Sequence, residues 1–266
     1  MPFKYKDCDC TPLVFDREFD IDNEDLLAQY VGTIVLGHYA HIKRIINSLS
    51  AIEPKIADNE INLAINHLKS LGKSSNEIEK RDGWVFQIIS WLVLLNENKG
   101  SRFYCQPPHD APAQQGIDGL GLKLDENLKL ERIIITEDKC TENQRIVIKQ
   151  QVWPEFKNYE KGLFNNKIVN RVSAMIENLH NGDILEANKN DIYSMDKWIY
   201  RVGINRTDTY ETVKKREKLF KGYADNVIGN DPHRRYAATI NKADIRTWME
   251  ELSVKIITHL ESTKGT

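Results

Sequence analysis

The chain has 266 residues, 41% hydrophobic and 29% charged, with 37 basic and 39 acidic side chains and a formal net charge of −2. That apolar share fills the core of one large domain or two small ones, and it excludes a disordered chain, a collagen-like repeat and a histone-like polycation. A neutral total leaves nucleic-acid binding open, because it can hide a basic face.

Residues 1–25 are acidic and read as irregular, with Leu13, Val14 and Phe15 as a short edge strand. The opening MPFKYKDCDC carries no apolar signal core, and Cys8 and Cys10 stand too close together for a zinc pair. The apolar runs Leu26–Leu36 and Trp84–Leu95 fall well short of the roughly 20 residues that span a bilayer. A reduced, cytoplasmic protein with no membrane contact is therefore expected.

A helix is predicted from Glu24 to Leu49, capped by Asp22 or Asn23, and Pro54 breaks the chain after it. A second runs from Asn59 to Leu71, where Gly72 stops it. Ser74 or Ser75 caps a long helix through Asn98, stopped by Gly100. After a Pro-rich loop at 106–116 come two strands, Ile117–Leu124 and Leu130–Lys139, joined by a turn at Asp125-Glu126-Asn127. Thr141 and Gln144 have capping-box spacing and open a helix toward Tyr159, with Pro154 as a kink point. Then follow a helix at Lys167–Leu179 ended by Asn181-Gly182, a strand at Trp198–Thr207 and a helix at Thr209–Ala224. The chain closes with a strand at Arg235–Ile240 and an Asp244-capped helix to Leu260.

Helices, then a hairpin, then alternating helix and strand predict an α/β (α+β) fold with a small central mixed sheet flanked by helices. The organisation expected is a mainly helical segment at 1–75, a core at 76–180 and an α/β part at 181–266. The weakest joint is near 181–190.

The chemistry concentrates in 116-GIDGLGLKLDENLKLERIIITEDK-139. Alternation along a strand puts Glu137 and Lys139 on one face, with Ile133, and turns Asp138 to the other. A hairpin about 125–127 lets Asp118 approach Glu137 if a bulge absorbs the small offset. Converging carboxylates repel unless a cation intervenes. Mg²⁺ or Mn²⁺ held by Asp118 and Glu137, beside the Lys139 ammonium, resolves this and suits hydrolysis of a phosphodiester.

Asp118 on one strand and Glu137-x-Lys139 at the end of the next, behind a helix reading Gly83-Trp-Val-Phe-Gln87, resemble the PD-(D/E)XK nuclease superfamily over about residues 76–160. The layout is also similar to the nuclease subunit of Hachiman antiphage defence systems. The resemblance implies a restriction-endonuclease-like core and a metal-dependent DNA endonuclease acting in antiviral defence beside a helicase or ATPase partner. It implies catalytic roles for Asp118, Glu137, Lys139 and Gln87. Two departures stand out: no proline precedes Asp118, and Gln87 replaces the more frequent helix acid. The alternatives are a catalytically inactive nuclease-fold subunit that binds DNA or a partner protein, and a type II restriction enzyme.

Toward the C-terminus Lys214, Lys215, Arg216, Lys218, Lys221, Arg234 and Arg235 stand against three acidic residues, Glu217, Asp225 and Asp231. They are the expected DNA-backbone contacts. No GxxxxGK[ST] string occurs, so an ATP-driven step would belong to another chain.

Overall fold

The computed structural model describes residues 2–179, 182–229 and 231–265. The acidic opening is a hairpin: β1 (Phe3–Cys10) pairs antiparallel with β2 (Val14–Ile21) in an unbroken register from Phe3↔Ile21 to Cys10↔Val14. Charged residues between the aromatics had suggested irregular chain. They are the alternate positions of two strands whose Phe3, Tyr5, Phe19 and Ile21 enter the core.

The first predicted helix is two. α1 (Glu24–Val35) starts under Asn23, whose side chain accepts from the Leu26 amide at 2.8 Å. The chain then turns through Gly37 at φ 85° before α2 (Tyr39–Ile46). α3 (Asp58–Ser70) and α4 (Ser75–Glu97) follow the reading closely, α4 under the predicted Ser74 cap. A strand unforeseen in the sequence, β3 (Arg102–Cys105), leads to β4 (Gly119–Leu124) and β5 (Leu130–Lys139). The helix expected from Thr141 is α5 (Gln144–Val147), a π turn (Ile148–Val152) and α6 (Trp153–Glu160). Its capping box does not form: the cap position is Asn143, and Gln144 instead donates its amide to the Thr141 carbonyl at 2.8 Å.

α7 (Asn165–Glu177) and α8 (Gly182–Asn188) come next. Of the predicted Asn181-Gly182 stop, Asn181 lies outside the described residues, and Gly182 opens α8. β6 (Trp198–Arg206), α9 (Val213–Leu219), α10 (Tyr223–Asn226), β7 (Arg235–Asn241) and α11 (Ile245–Ser262) complete the chain, α11 under the predicted Asp244 cap.

All strands share one curled mixed sheet in the order β1-β2-β7-β6-β5-β4-β3, with β2, β7, β6 and β5 parallel. Strands from 1–75, 76–180 and 181–266 therefore lie in a single sheet, and that three-part division follows no break in it. Helices cover both faces, which explains the nearly continuous apolar run at the centre of β5. One core lies between the sheet and α1, α4 and α11 and takes Ile134, Ala238 and Ile240. The other lies under α5–α10 and takes Ile133, Ile135, Tyr200 and Val202. No helix among the described residues is long and apolar enough to cross a membrane.

Three residues expected on a basic surface are interior braces instead. Arg216 is buried and bridges Asp16 and Glu18 of β2, and donates to Thr239 Oγ1 at 3.1 Å. Arg234 is buried against Glu160 and the Trp198 carbonyl. Arg235 is buried and donates to the carbonyls of Pro12 and Leu13, both at 2.8 Å. Burial pushes the Asp16 carboxyl up to about 6, against the pull of Arg216. Removing the guanidinium leaves that group without its counter-charge. Arg216→Ala is expected to lower stability by about 3–5 kcal/mol in urea unfolding. A loss under about 1 kcal/mol would show that this contact does not hold β2 to β7.

Candidate active site

The β4–β5 register places the two strand ends. Gly119 pairs with Thr136, so the next position back, Asp118, faces Glu137. The offset is taken up by an irregularity at Lys123/Leu124, beside a turn that is wider than the three residues predicted. There Asp125 Oδ1 accepts from the amides of Asn127 and Lys129, each at 2.8 Å.

Asp118 is held from three sides. The Gln87 amide of α4 donates to its carbonyl at 3.0 Å and to Oδ1 at 3.1 Å. The Asp138 backbone amide donates to Oδ2 at 2.9 Å, and Lys139 Nζ lies 3.4 Å from the same oxygen. Lys139 also reaches Glu137 Oε2 at 3.0 Å. The structure thus brings together Gln87, Asp118, Glu137 and Lys139, the four residues predicted for the site. Glu137 is buried, and its Oε1 has no hydrogen-bond partner.

The electrostatics follow from burial. Glu137 is pushed well above the ordinary carboxylate range, first by desolvation and then by the Asp118 charge. Burial acts to lower the Lys139 ammonium, but Glu137 and Asp118 outweigh it and hold the group above the usual lysine value. The two carboxylates therefore favour the charged ammonium. Asp138, on the opposite face, is raised to about 7 by burial in spite of Arg201. Ser90 donates to it at 2.5 Å, and Arg201 lies 3.6 Å away. β6 passes so close that a Cβ at Gly203 would overlap the Asp138 carboxylate.

Three further residues belong to this end of the sheet. Glu155 on α6 is half-buried, and its carboxyl is raised by burial while Lys139 acts against that. Tyr159, one helical turn on, is buried with an unpartnered hydroxyl within reach of the Glu137 and Glu155 charges. The four-residue spacing of Glu155 and Tyr159 on a predicted helix was a signal available in the sequence. His109 anchors the Pro-rich loop: its ring accepts from Gln87 at 3.3 Å and donates to the Ile117 carbonyl at 3.2 Å. That tautomer is assigned from its partners. Nothing local in the sequence pointed to it.

Asp118 and Lys139 line a pocket of about 220 Å³ rimmed by Glu79, Lys80, Trp84 and Gln87, and Glu137 lies buried behind it. Glu79 is exposed at the rim. Asp82 is fully buried and paired with Arg81 and Arg246. Among the described residues no group of three or more His, Cys, Asp or Glu side chains is gathered as a ready metal cage. A divalent ion would draw on Asp118 and Glu137, and the open Glu137 oxygen fits an oxygen-seeking cation that keeps several waters. Of the residues expected to contact DNA, Lys214, Lys215, Lys218 and Lys221 are exposed, whereas Arg216, Arg234 and Arg235 are not accessible. Comparison with protein-family models, curated proteins and solved structures finds no match.

A carboxyl whose pKa is raised in the fold contributes stability in acid that is lost as pH rises through the folded value. In EDTA, Glu137→Gln should therefore melt above the wild type near pH 8, with the gap closing toward acid pH. An equal or lower melting temperature near pH 8 would mean that Lys139 compensates the charge in full.

Proposed function

We propose that the chain is a metal-dependent nuclease that hydrolyses phosphodiester bonds, with DNA as its substrate. The observation that carries this reading is the convergence of Asp118, Glu137 and Lys139 on one sheet end, with a buried Glu137 oxygen that has no hydrogen-bond partner. Two carboxylates and one ammonium balance only when one carboxyl holds a proton, which the raised Glu137 favours, or when a cation takes that proton's place.

Asp118 and Glu137 would hold Mg²⁺ or Mn²⁺, which supplies Lewis acidity toward a phosphoryl oxygen when bound. Lys139 stabilises negative charge gathering on the phosphate. Glu155 faces the same end from α6, and its raised carboxyl suits it to take a proton from the attacking water. Gln87 fixes the Asp118 carboxylate and adds no charge of its own. The exposed lysines 214, 215, 218 and 221 offer backbone contacts. The defence setting and a helicase partner rest on the resemblance alone.

The second reading, a nuclease-fold subunit without activity, is favoured by Gln87 standing where an acid is more frequent. Plasmid nicking separates the two. With Mg²⁺ or Mn²⁺ the wild type should nick supercoiled DNA, EDTA should stop it, and Asp118→Asn, Lys139→Ala and Glu155→Gln should each lower the rate by about 10²-fold or more. A folded wild type that cleaves neither DNA nor RNA with either metal would leave the binding-subunit reading.

A further inference from the structure

On the side of α6 away from Glu155 lies a second cleft, of about 530 Å³, between the α5–α6 segment and the α9–α10 turn. Its charged lining is Arg145, Lys149, Lys157 and Lys221 against the one carboxylate of Asp225. The floor is rigid. Trp153 is buried, donates its indole N–H to the Lys221 carbonyl at 3.1 Å and packs on Tyr223 with ring centroids 4.4 Å apart. Arg145 is half-buried and tied to the Leu219 carbonyl at 3.1 Å, so the two walls are joined at one end. Lys149, Lys157 and Lys221 are exposed, and none has an ion-pair partner among the described residues.

The alignment of these cations has a backbone cause. Arg145, Lys149, Trp153 and Lys157 recur every four residues. On a regular α-helix such a row drifts around the axis by about 40° per step, so three steps would carry Lys157 away from Arg145. The π turn at Ile148–Val152 lies within the row. A π turn holds more residues than an α turn, so it rotates less per residue and takes back part of that drift. The result is a line of positive charge about 18 Å long along one wall, with Lys221 on the other.

We infer that this cleft binds the phosphodiester backbone of a nucleic acid and is the chain's main backbone contact. A row of that length outspans an inorganic phosphate, whereas a nucleic-acid strand presents a charge about every 3.4 Å along its axis. The identity of the ligand rests on the nuclease reading; the cleft itself does not.

The test is fluorescence anisotropy of a short labelled DNA duplex with the full chain, in EDTA so that no cleavage occurs, across a salt series. The variant Lys149→Ala/Lys157→Ala/Lys221→Ala removes only exposed side chains. It should weaken binding roughly tenfold or more at low salt and reduce the slope of log affinity against log salt by about 1 per lysine. The comparison variant Lys214→Ala/Lys215→Ala/Lys218→Ala, on α9, should lose much less. Unchanged binding by the cleft variant would overturn the inference, and equal losses in both variants would replace it with a diffuse basic surface. Inorganic triphosphate binding the wild type more tightly than duplex, and lost in the cleft variant, would overturn it in favour of a small-polyphosphate site. Plasmid nicking that fails while the cleft variant still loses DNA binding would sink the nuclease reading and leave the cleft standing.

Discussion

β5 ends in three consecutive charged residues, on a strand with neighbours at both edges and helices over both faces. None can keep its full hydration there, so each needs partners from elsewhere in the fold. Asp138 finds them on α4 and β6, through Ser90 and Arg201. Lys139 finds Glu137 beside it and Asp118 across the hairpin. Asp118 in turn takes Gln87 of α4 and the Asp138 amide. These contacts bring α4 close to the strand ends, leave β6 room for nothing larger than Gly203, and tie the 106–118 loop back through His109. The shape of this end of the molecule follows from finding partners for that charge.

The same logic explains what the sequence disclosed. Glu137 and Lys139 were readable because strand alternation is a local rule, and the β4–β5 pairing was readable because the hairpin is short. Caps at Asn23, Ser74 and Asp244 depend only on a side chain and the next few amides. The β1–β2 hairpin escaped because its second strand docks on β7, more than 200 residues away, where Asp16 is buried and Glu18 half-buried against Arg216. Glu155 and Tyr159 share a helix face at four-residue spacing, but only the packing of α6 on the sheet brings that face to Asp118 and Glu137.

The arginines teach a separate lesson. A run of basic residues looks like a nucleic-acid face when charge is counted along the chain. Arg216, Arg234 and Arg235 differ from the neighbouring lysines in having planar guanidinium groups that can satisfy several acceptors at once inside a protein. The fold uses them that way, bracing β2, α6 and the 10–13 turn. The lysines, more strongly hydrated, stay at the surface. Counting Arg and Lys together hid this division of labour.

Gln87 bears most directly on how many cations the site could accept. A carboxylate at that position would be a fourth negative group beside Asp118, Glu137 and Glu155, and a single Lys139 could not offset it. An amide keeps the same geometry, donating to Asp118 at 3.1 Å, without adding charge. With both Asp118 oxygens already accepting hydrogen bonds, the open oxygen is Glu137 Oε1. The set Asp118, Glu137 and Glu155 against Lys139 sums to about −2 when all are ionised, which is the charge of one divalent cation and not of two. On the nuclease reading this argues for one-metal chemistry, with Lys139 supplying the positive charge that a second ion would otherwise bring.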